Sequence, residues 1–147
     1  MMFRWKKQIE EISLTLDAPE QSEKVGQLIN VIERFNQPTH LRLKTMSGIA
    51  TLELETIILF DVQGGTLTVK TVRGVYETKT TLRSLINQLP AQFIQISRNT
   101  VINIDHLIEI RRSYSGNYTG VLVADNTVNI SRRAVKALKE RLKGGEL

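Results

Sequence analysis

Ile57-Ile58-Leu59-Phe60-Asp61-Val62-Gln63-Gly64-Gly65-Thr66-Leu67-Thr68-Val69-Lys70-Thr71-Val72 is the stretch whose reading decides the architecture. Ile57 to Val62 is apolar on both faces, as a strand in the middle of a sheet must be. Gly64-Gly65 can enter the left-handed backbone region at no steric cost, which a two-residue hairpin turn requires. Leu67 to Val72 then reads as the returning strand, so the sheet is antiparallel. The same residues exclude a phosphate loop. A glycine-rich anion cradle leads into a helix N-terminus, and this turn joins two strands.

Working outward, short strands continue on both sides. Upstream, Leu41 and Leu43 alternate with Arg42 and Lys44, Ser47-Gly48 turns, and Leu52 and Leu54 alternate with Thr51, Glu53 and Glu55. Downstream, Arg73-Gly74 turns into Val75-Tyr76-Glu77-Thr78. A helix is predicted over 82–89, capped by Thr81, striped by Leu82, Leu85, Ile86 and Leu89, and stopped by Pro90. More strand character follows at 93–96 and 101–110. A polar loop, Ser113–Asn117, and a two-residue turn at Asp125-Asn126 precede Val128-Asn129-Ile130. Ser131 caps a final helix from Arg132 to about Lys143, ended by Gly144-Gly145.

The front of the chain differs. Ile12, Leu14 and Leu16 predict a strand, and Asp17-Ala18-Pro19-Glu20 predicts a capped helix start. Val25, Leu28, Ile29, Ile32 and Phe35 would line one helical face, and Asn36-Gln37-Pro38 marks a boundary. The expected fold is mainly β with a few helices, an α+β class. It comprises a strand-helix segment over 1–37, suited to packing, dimer or partner contact, and a β-rich domain over 38–147.

The chain has 147 residues, 41% hydrophobic and 24% charged, which is a globular composition. It lacks cysteine, which excludes disulfides and thiolate metal sites and fits a reducing cytoplasm. His40 and His106 are isolated, with no second histidine at metal-pair spacing. Ser97 and Ser131 lack a nucleophile-elbow setting. The expectation is no enzyme, no metal, no cofactor and no small-molecule substrate. The basic start carries no apolar leader core, and the run Ile57 to Phe60 falls far short of the about 20 residues a membrane span needs. A soluble, cytoplasmic protein is expected.

The net charge of +5 is uneven, at −1 over residues 1–37 and +6 over 38–147. A basic body suggests a polyanionic partner. On the final helix, Arg132, Lys136, Lys139 and Lys143 form a stripe separate from the apolar Val135, Leu138 and Leu142. Stacked like charges repel by a few tenths of a kcal/mol per pair, a cost that phosphates relieve. Arg98 and Arg111-Arg112 form a second basic set, and arginine is suited to bidentate contact with guanine. Ser97, Asn99, Asn129 and Ser131 beside them are of the kind that position phosphates.

Phe93-Ile94-Gln95-Ile96-Ser97-Arg98-Asn99-Thr100-Val101-Ile102-Asn103-Ile104-Asp105-His106-Leu107 resembles the characteristic stretch of the LytTR DNA-binding family. Val128-Asn129-Ile130-Ser131-Arg132-Arg133, with Leu138, resembles its second signature, a strand entering the last helix. The resemblance covers about residues 38 to 143. It implies stacked short antiparallel sheets forming an elongated body, with loops reaching into successive major grooves. Base contacts in the family come from the positions matching Gly64-Gly65, Arg98 and Arg133. Gly65 departs from that pattern, because glycine offers only backbone, so close backbone approach is expected there. The DNA-facing set is expected to be Gly64, Gly65, Arg98, Asn99, Ser131, Arg132, Arg133, Lys136 and Lys139.

The implied function is that of a bacterial-type transcriptional regulator, with a domain like the output domain of response regulators. It would bind double-stranded DNA sequence-specifically, as a homodimer on repeated sites. A receiver domain does not fit into 37 residues, which points to the stand-alone subgroup and to a membrane-protein inhibitor as a partner. The rival reading is a protein-interaction module or antagonist that keeps the fold. RNA binding is disfavoured, since the arginine-rich region holds only Tyr114 and Tyr118 for base stacking.

Overall fold

The computed structural model describes residues 2–7, 12–17, 23–35 and 37–145. It divides into two units, Met1–Gln37 and Pro38–Leu147. In the first unit, β1 (Met2–Lys7) pairs antiparallel with β2 (Ile12–Asp17), from Met2↔Asp17 to Lys7↔Ile12, and α1 (Glu23–Phe35) follows. The expected single strand is therefore a hairpin. Asp17 closes β2, while the Pro19 and Glu20 of the expected helix start lie outside the described residues. Along α1, Val25 is buried and Leu28 and Ile32 are half-buried, but Ile29, Val31 and Phe35 are exposed, Phe35 at 90%.

In the second unit, β3 (His40–Thr45) and β4 (Gly48–Glu53) form a hairpin, and a 3-10 turn at Leu54–Thr56 leads into β5 (Ile57–Gln63). Next come β6 (Thr66–Thr71), β7 (Gly74–Thr78), α2 (Leu82–Ile86), β8 (Phe93–Gln95) and β9 (Thr100–Asn103). A second 3-10 turn, Ile104–His106, precedes β10 (Leu107–Arg112), β11 (Tyr118–Leu122), β12 (Asn126–Ile130) and α3 (Arg132–Gly145). The strands form antiparallel sheets in the orders β7-β6-β5-β9-β8, β10-β11-β12 and β3-β4.

β5 is central, as its two apolar faces require. A register shift between Ile57 and Leu59 bulges the strand, so that adjacent residues serve the same core. Ile57 and Phe60 face one core with Leu41, Leu43, Leu52, Leu82, Leu85 and Phe93. Ile58 and Leu59 face the other, with Ile102, Leu122, Ile130, Val135 and Leu138. Phe60 meets Phe93 edge to face, with centroids 5.7 Å apart. The five-stranded sheet is thus the middle layer, with the β3-β4 hairpin and α2 on one side and the three-stranded sheet and α3 on the other.

Local chemistry sets the element ends. Gly64 and Gly65 adopt φ of 58° and 79°, the left-handed pair expected for a two-residue hairpin. Thr81 caps α2 by accepting from the Ser84 amide at 3.2 Å. The helix stops at Ile86, short of the expected Leu89, as the Gln88 and Leu89 amides bond three residues back in a tighter turn. The β11-β12 turn falls on Ala124-Asp125, with φ of 56° and 57°, one residue before the expected Asp125-Asn126. On α3 the buried face is Ala134, Val135 and Leu138, whereas Leu142, near the helix end, is exposed.

Candidate nucleic-acid interface

Two backbone hydrogen bonds bring three separate segments to one end of the layered body. The Val62 amide donates to the Asn99 carbonyl at 2.9 Å, so the loop bearing Arg98 continues the β5-β9 pairing beside the Gly64-Gly65 turn. The Ser131 amide donates to the Ile96 carbonyl at 3.3 Å, so the start of α3 lies against the other flank of that loop. Turn, loop and helix start form a row in that order. Gly64, Gly65, Arg98, Asn99, Ser131, Arg132 and Arg133 are all exposed along it.

The loop is held from within. Ile96 and Ser97 donate from their amides to the Thr100 carbonyl at 3.0 and 3.4 Å, and Ser97 Oγ accepts from the Asn99 amide at 3.3 Å. Gln95 Nε2 donates to the Arg98 carbonyl at 3.3 Å. With its backbone engaged on both sides, Arg98 projects from a fixed base. Ser131 caps α3, its Oγ accepting from the Ala134 amide at 3.2 Å while its carbonyl accepts from Val135 at 2.9 Å. Among the described residues the hydroxyl hydrogen of Ser131 has no acceptor. The helix start is thereby pinned, and Arg132 and Arg133 leave from its first turn.

Arg98 and Arg133 form no ion pair among the described residues, where the pairs are Arg73–Glu53 at 3.5 Å and Arg111–Glu109 at 2.8 Å. Neither guanidinium is buried. The expected stripe on α3 divides. Lys136 and Lys139 are exposed, but Lys139 Nζ also stands 5.6 Å from the centroid of the Tyr118 ring, a cation–π contact that fixes where its charge sits. Arg141, further along α3, donates to the Ala91 carbonyl and serves the fold.

Asp61 is a further residue of the site. Its carboxylate accepts from Thr100 Oγ1 and from Gln63 Nε2, each at 2.8 Å. It therefore joins the stem of the Gly64-Gly65 turn to the stem of the Arg98 loop, and both its oxygens are engaged on the protein's own donors. A signal for it existed: it is the one charge inside Ile57 to Val62, and a carboxylate in a central strand needs partners. Asn103 is a second such residue, fully buried, donating to the Ile57 carbonyl at 2.9 Å and accepting from the Asp105 amide at 3.0 Å.

The histidines have local partners: His40 Nδ1 lies 2.8 Å from Thr39 Oγ1, and His106 Nε2 lies 2.6 Å from the Glu55 carbonyl. Among the described residues no group of three or more His, Cys, Asp or Glu side chains could hold a metal ion. Nor is any described helix long and apolar enough to cross a membrane. The chemistry available along the row is that of fixed cations and hydrogen-bond donors facing outward, which suits an anionic polymer.

Residues 47–143 match the LytTr DNA-binding domain. The chain is 34% identical over 104 residues to the sensory transduction protein LytT of Bacillus anthracis, covering 70% of this chain and 42% of that protein. With the sensory transduction protein LytR of Staphylococcus epidermidis it shares 31% over 106 residues, covering 71% and 42%. It thus spans less than half the length of these two relatives. An uncharacterized HTH-type transcriptional regulator of Staphylococcus aureus is 26% identical over 132 residues, 90% of each chain. A solved LytTr DNA-binding domain from a Bacillus cereus response regulator matches with a TM-score of 0.63, covering 71% of this chain and 97% of its own. Its 17% identity makes that a likeness of fold.

Proposed function

Because the chain belongs to the LytTR DNA-binding family, we propose that it is a transcriptional regulator that binds double-stranded DNA sequence-specifically through the row from Gly64-Gly65 to Arg133. The observation that carries this reading is the convergence at one end of the body of three segments distant in sequence, with both arginines exposed and free of carboxylates among the described residues. Bidentate contact with a guanine edge needs an unpaired guanidinium on a fixed base, and Arg98 and Arg133 meet that requirement. Gly64-Gly65 offers backbone at close approach. Asn99, Ser131, Arg132, Lys136 and Lys139 supply phosphate contacts, which position the protein without reading sequence.

The protein acts as a homodimer on repeated sites, and the exposed Ile29, Val31 and Phe35 of α1 support a role for the first unit in that association. A membrane-protein inhibitor is the other candidate for that surface, and would compete with dimer formation.

Selection of binding sites from random duplexes, followed by fluorescence anisotropy, tests the reading. Arg98→Ala and Arg133→Ala should each cost about 1–3 kcal/mol on the selected site and relax selectivity at one base pair. Equal losses on selected and random duplexes would mean that these arginines do not read bases. Failure to enrich any sequence, with binding to a protein partner intact, would favour an interaction module. Sedimentation of the full chain and of Phe35→Glu, with and without a duplex carrying two sites, reports on the dimer.

A further inference from the structure

The row does not end at Arg133. Tyr118 pairs with Ile130 in register, so the loop preceding β11 lies at the same end of the three-stranded sheet as the strand end feeding Ser131. That loop, Ser113–Asn117, is built as a firm hairpin. The Ser113 amide donates to the Asn117 carbonyl at 2.8 Å and the Gly116 amide to the Ser113 carbonyl at 3.0 Å, while Ser113 Oγ donates to the Asn117 carbonyl at 3.1 Å. Gly116 takes φ of 82°, and a Cβ built on it would stand 3.5 Å from Arg132 Nη2. The guanidinium of Arg132, which leaves the first turn of α3, therefore lies beside this hairpin.

The charge around the hairpin is one-sided. Arg111 is paired with Glu109 at 2.8 Å, whereas Arg112 is exposed and has no carboxylate partner among the described residues. Arg112 stands opposite Tyr118 in the β10-β11 register, the ring over which Lys139 lies. Arg112 and Lys139, through Tyr118, and Arg132, through Gly116, thus lie about the base of one hairpin, whose tip carries a wholly exposed tyrosine, Tyr114. Like charges gathered at one end of a sheet repel one another. None of the three is in an ion pair among the described residues.

We propose that the Ser113–Asn117 hairpin is a fourth DNA-contacting element, with Arg112 taking a backbone phosphate beyond the groove that Arg133 enters and Tyr114 lying against the adjacent sugar-phosphate chain. This rests on the reading of the row as the DNA-facing edge. The B-DNA major groove is about 12 Å wide, and a side chain inside it needs cations on the flanking backbone to hold register. Along the row, the Gly64-Gly65 turn borders one side of the arginine-bearing segments and this hairpin borders the other. Its contribution is positional, so it acts on every sequence alike.

The test uses the full chain and its selected duplex, with anisotropy measured across a salt series and phosphate ethylation interference. Arg112→Ala should weaken selected and random duplexes by the same factor and flatten the log K against log salt slope by about one unit. One interfering phosphate, outside those sensitive to Arg133→Ala, should vanish. Arg112→Lys should restore slope and phosphate, and Tyr114→Ala should lower affinity without changing the slope. An unchanged slope and ethylation pattern in Arg112→Ala, while Arg133→Ala still loses affinity, overturns the fourth element and leaves the row intact. A wild-type chain that binds no duplex overturns both. Both substituted residues are exposed, and matching thermal unfolding of the variants checks that the fold is retained.

Discussion

The amide of Ser131 donates to the carbonyl of Ile96, 3.3 Å away, and this bond joins the last strand-to-helix junction to the loop that carries Arg98. Ser131 also caps α3 with its hydroxyl. One residue therefore fixes both the height of the helix start and its distance from the neighbouring loop.

Ser131→Ala should lower stability by about 1 kcal/mol, the usual loss of a serine N-cap. Ser131→Asp restores the cap, since aspartate caps as well as serine, but sets a carboxylate at the proposed phosphate-facing edge. Urea unfolding of the aspartate variant should therefore match wild type while its duplex affinity falls below that of the alanine variant. Equal affinities in the two variants would remove Ser131 from the interface.

Lys139 has two roles that separate experimentally. Lys139→Ala should weaken all duplexes alike and flatten the salt slope by about one unit. It should also cost about 0.5–1 kcal/mol of stability through loss of the cation–π contact with Tyr118. Lys136→Ala should reproduce the binding effect alone, because among the described residues no ring lies under that side chain. Anisotropy and thermal unfolding of the pair distinguish the two.

Asn103 is a hinge pin between β9 and β5. Asn103→Leu, close in volume, orphans the buried Ile57 carbonyl and the Asp105 amide at once. The buried carbonyl left without a donor costs about 1–3 kcal/mol, whereas the amide of exposed Asp105 turns to water at little cost. The urea midpoint should fall accordingly with the slope of the transition unchanged. A midpoint within experimental error of wild type would show that water replaces the asparagine.

Much of the fold was legible because its signals are local. The continuous apolar run of Ile57 to Val62 marked the central strand, Gly64-Gly65 its turn, and Ser131 the cap of α3. β1 is masked in the sequence, because the charges of Arg4, Lys6 and Lys7 obscure the alternation of Phe3 and Trp5. The β11-β12 turn was placed one residue late because alanine seldom takes positive φ, and only the pairing of Leu122 with Asn126 forces it there. The stripe on α1 followed helical periodicity, but periodicity cannot say that Phe35 finds no cover. For the site, residue type pointed to Arg98 and Arg133. What joins them is a bond between Ile96 and Ser131, remote in the chain, and no local pattern encodes it. The clamp by Asp61 was hidden for the same reason, its partner Thr100 being supplied by another strand.

Ala124 and Asp125 sit in the left-handed region, where a non-glycine residue costs about 1–2 kcal/mol. Ala124→Gly should recover about 1 kcal/mol of that, seen as a raised unfolding midpoint. The turn joins the ends of β11 and β12 far from Ser131, so duplex affinity should not change. A change in affinity would mean that the two ends of the three-stranded sheet are coupled.

Gly64 and Gly65 occupy a backbone geometry that asparagine also tolerates, and a Cβ at either meets nothing within 4 Å. A side chain could be grafted onto this tip without disturbing either core. Descendants of this protein could thus acquire a third reader of base identity, and with it a new operator, by a change of one or two codons in a scaffold left otherwise untouched.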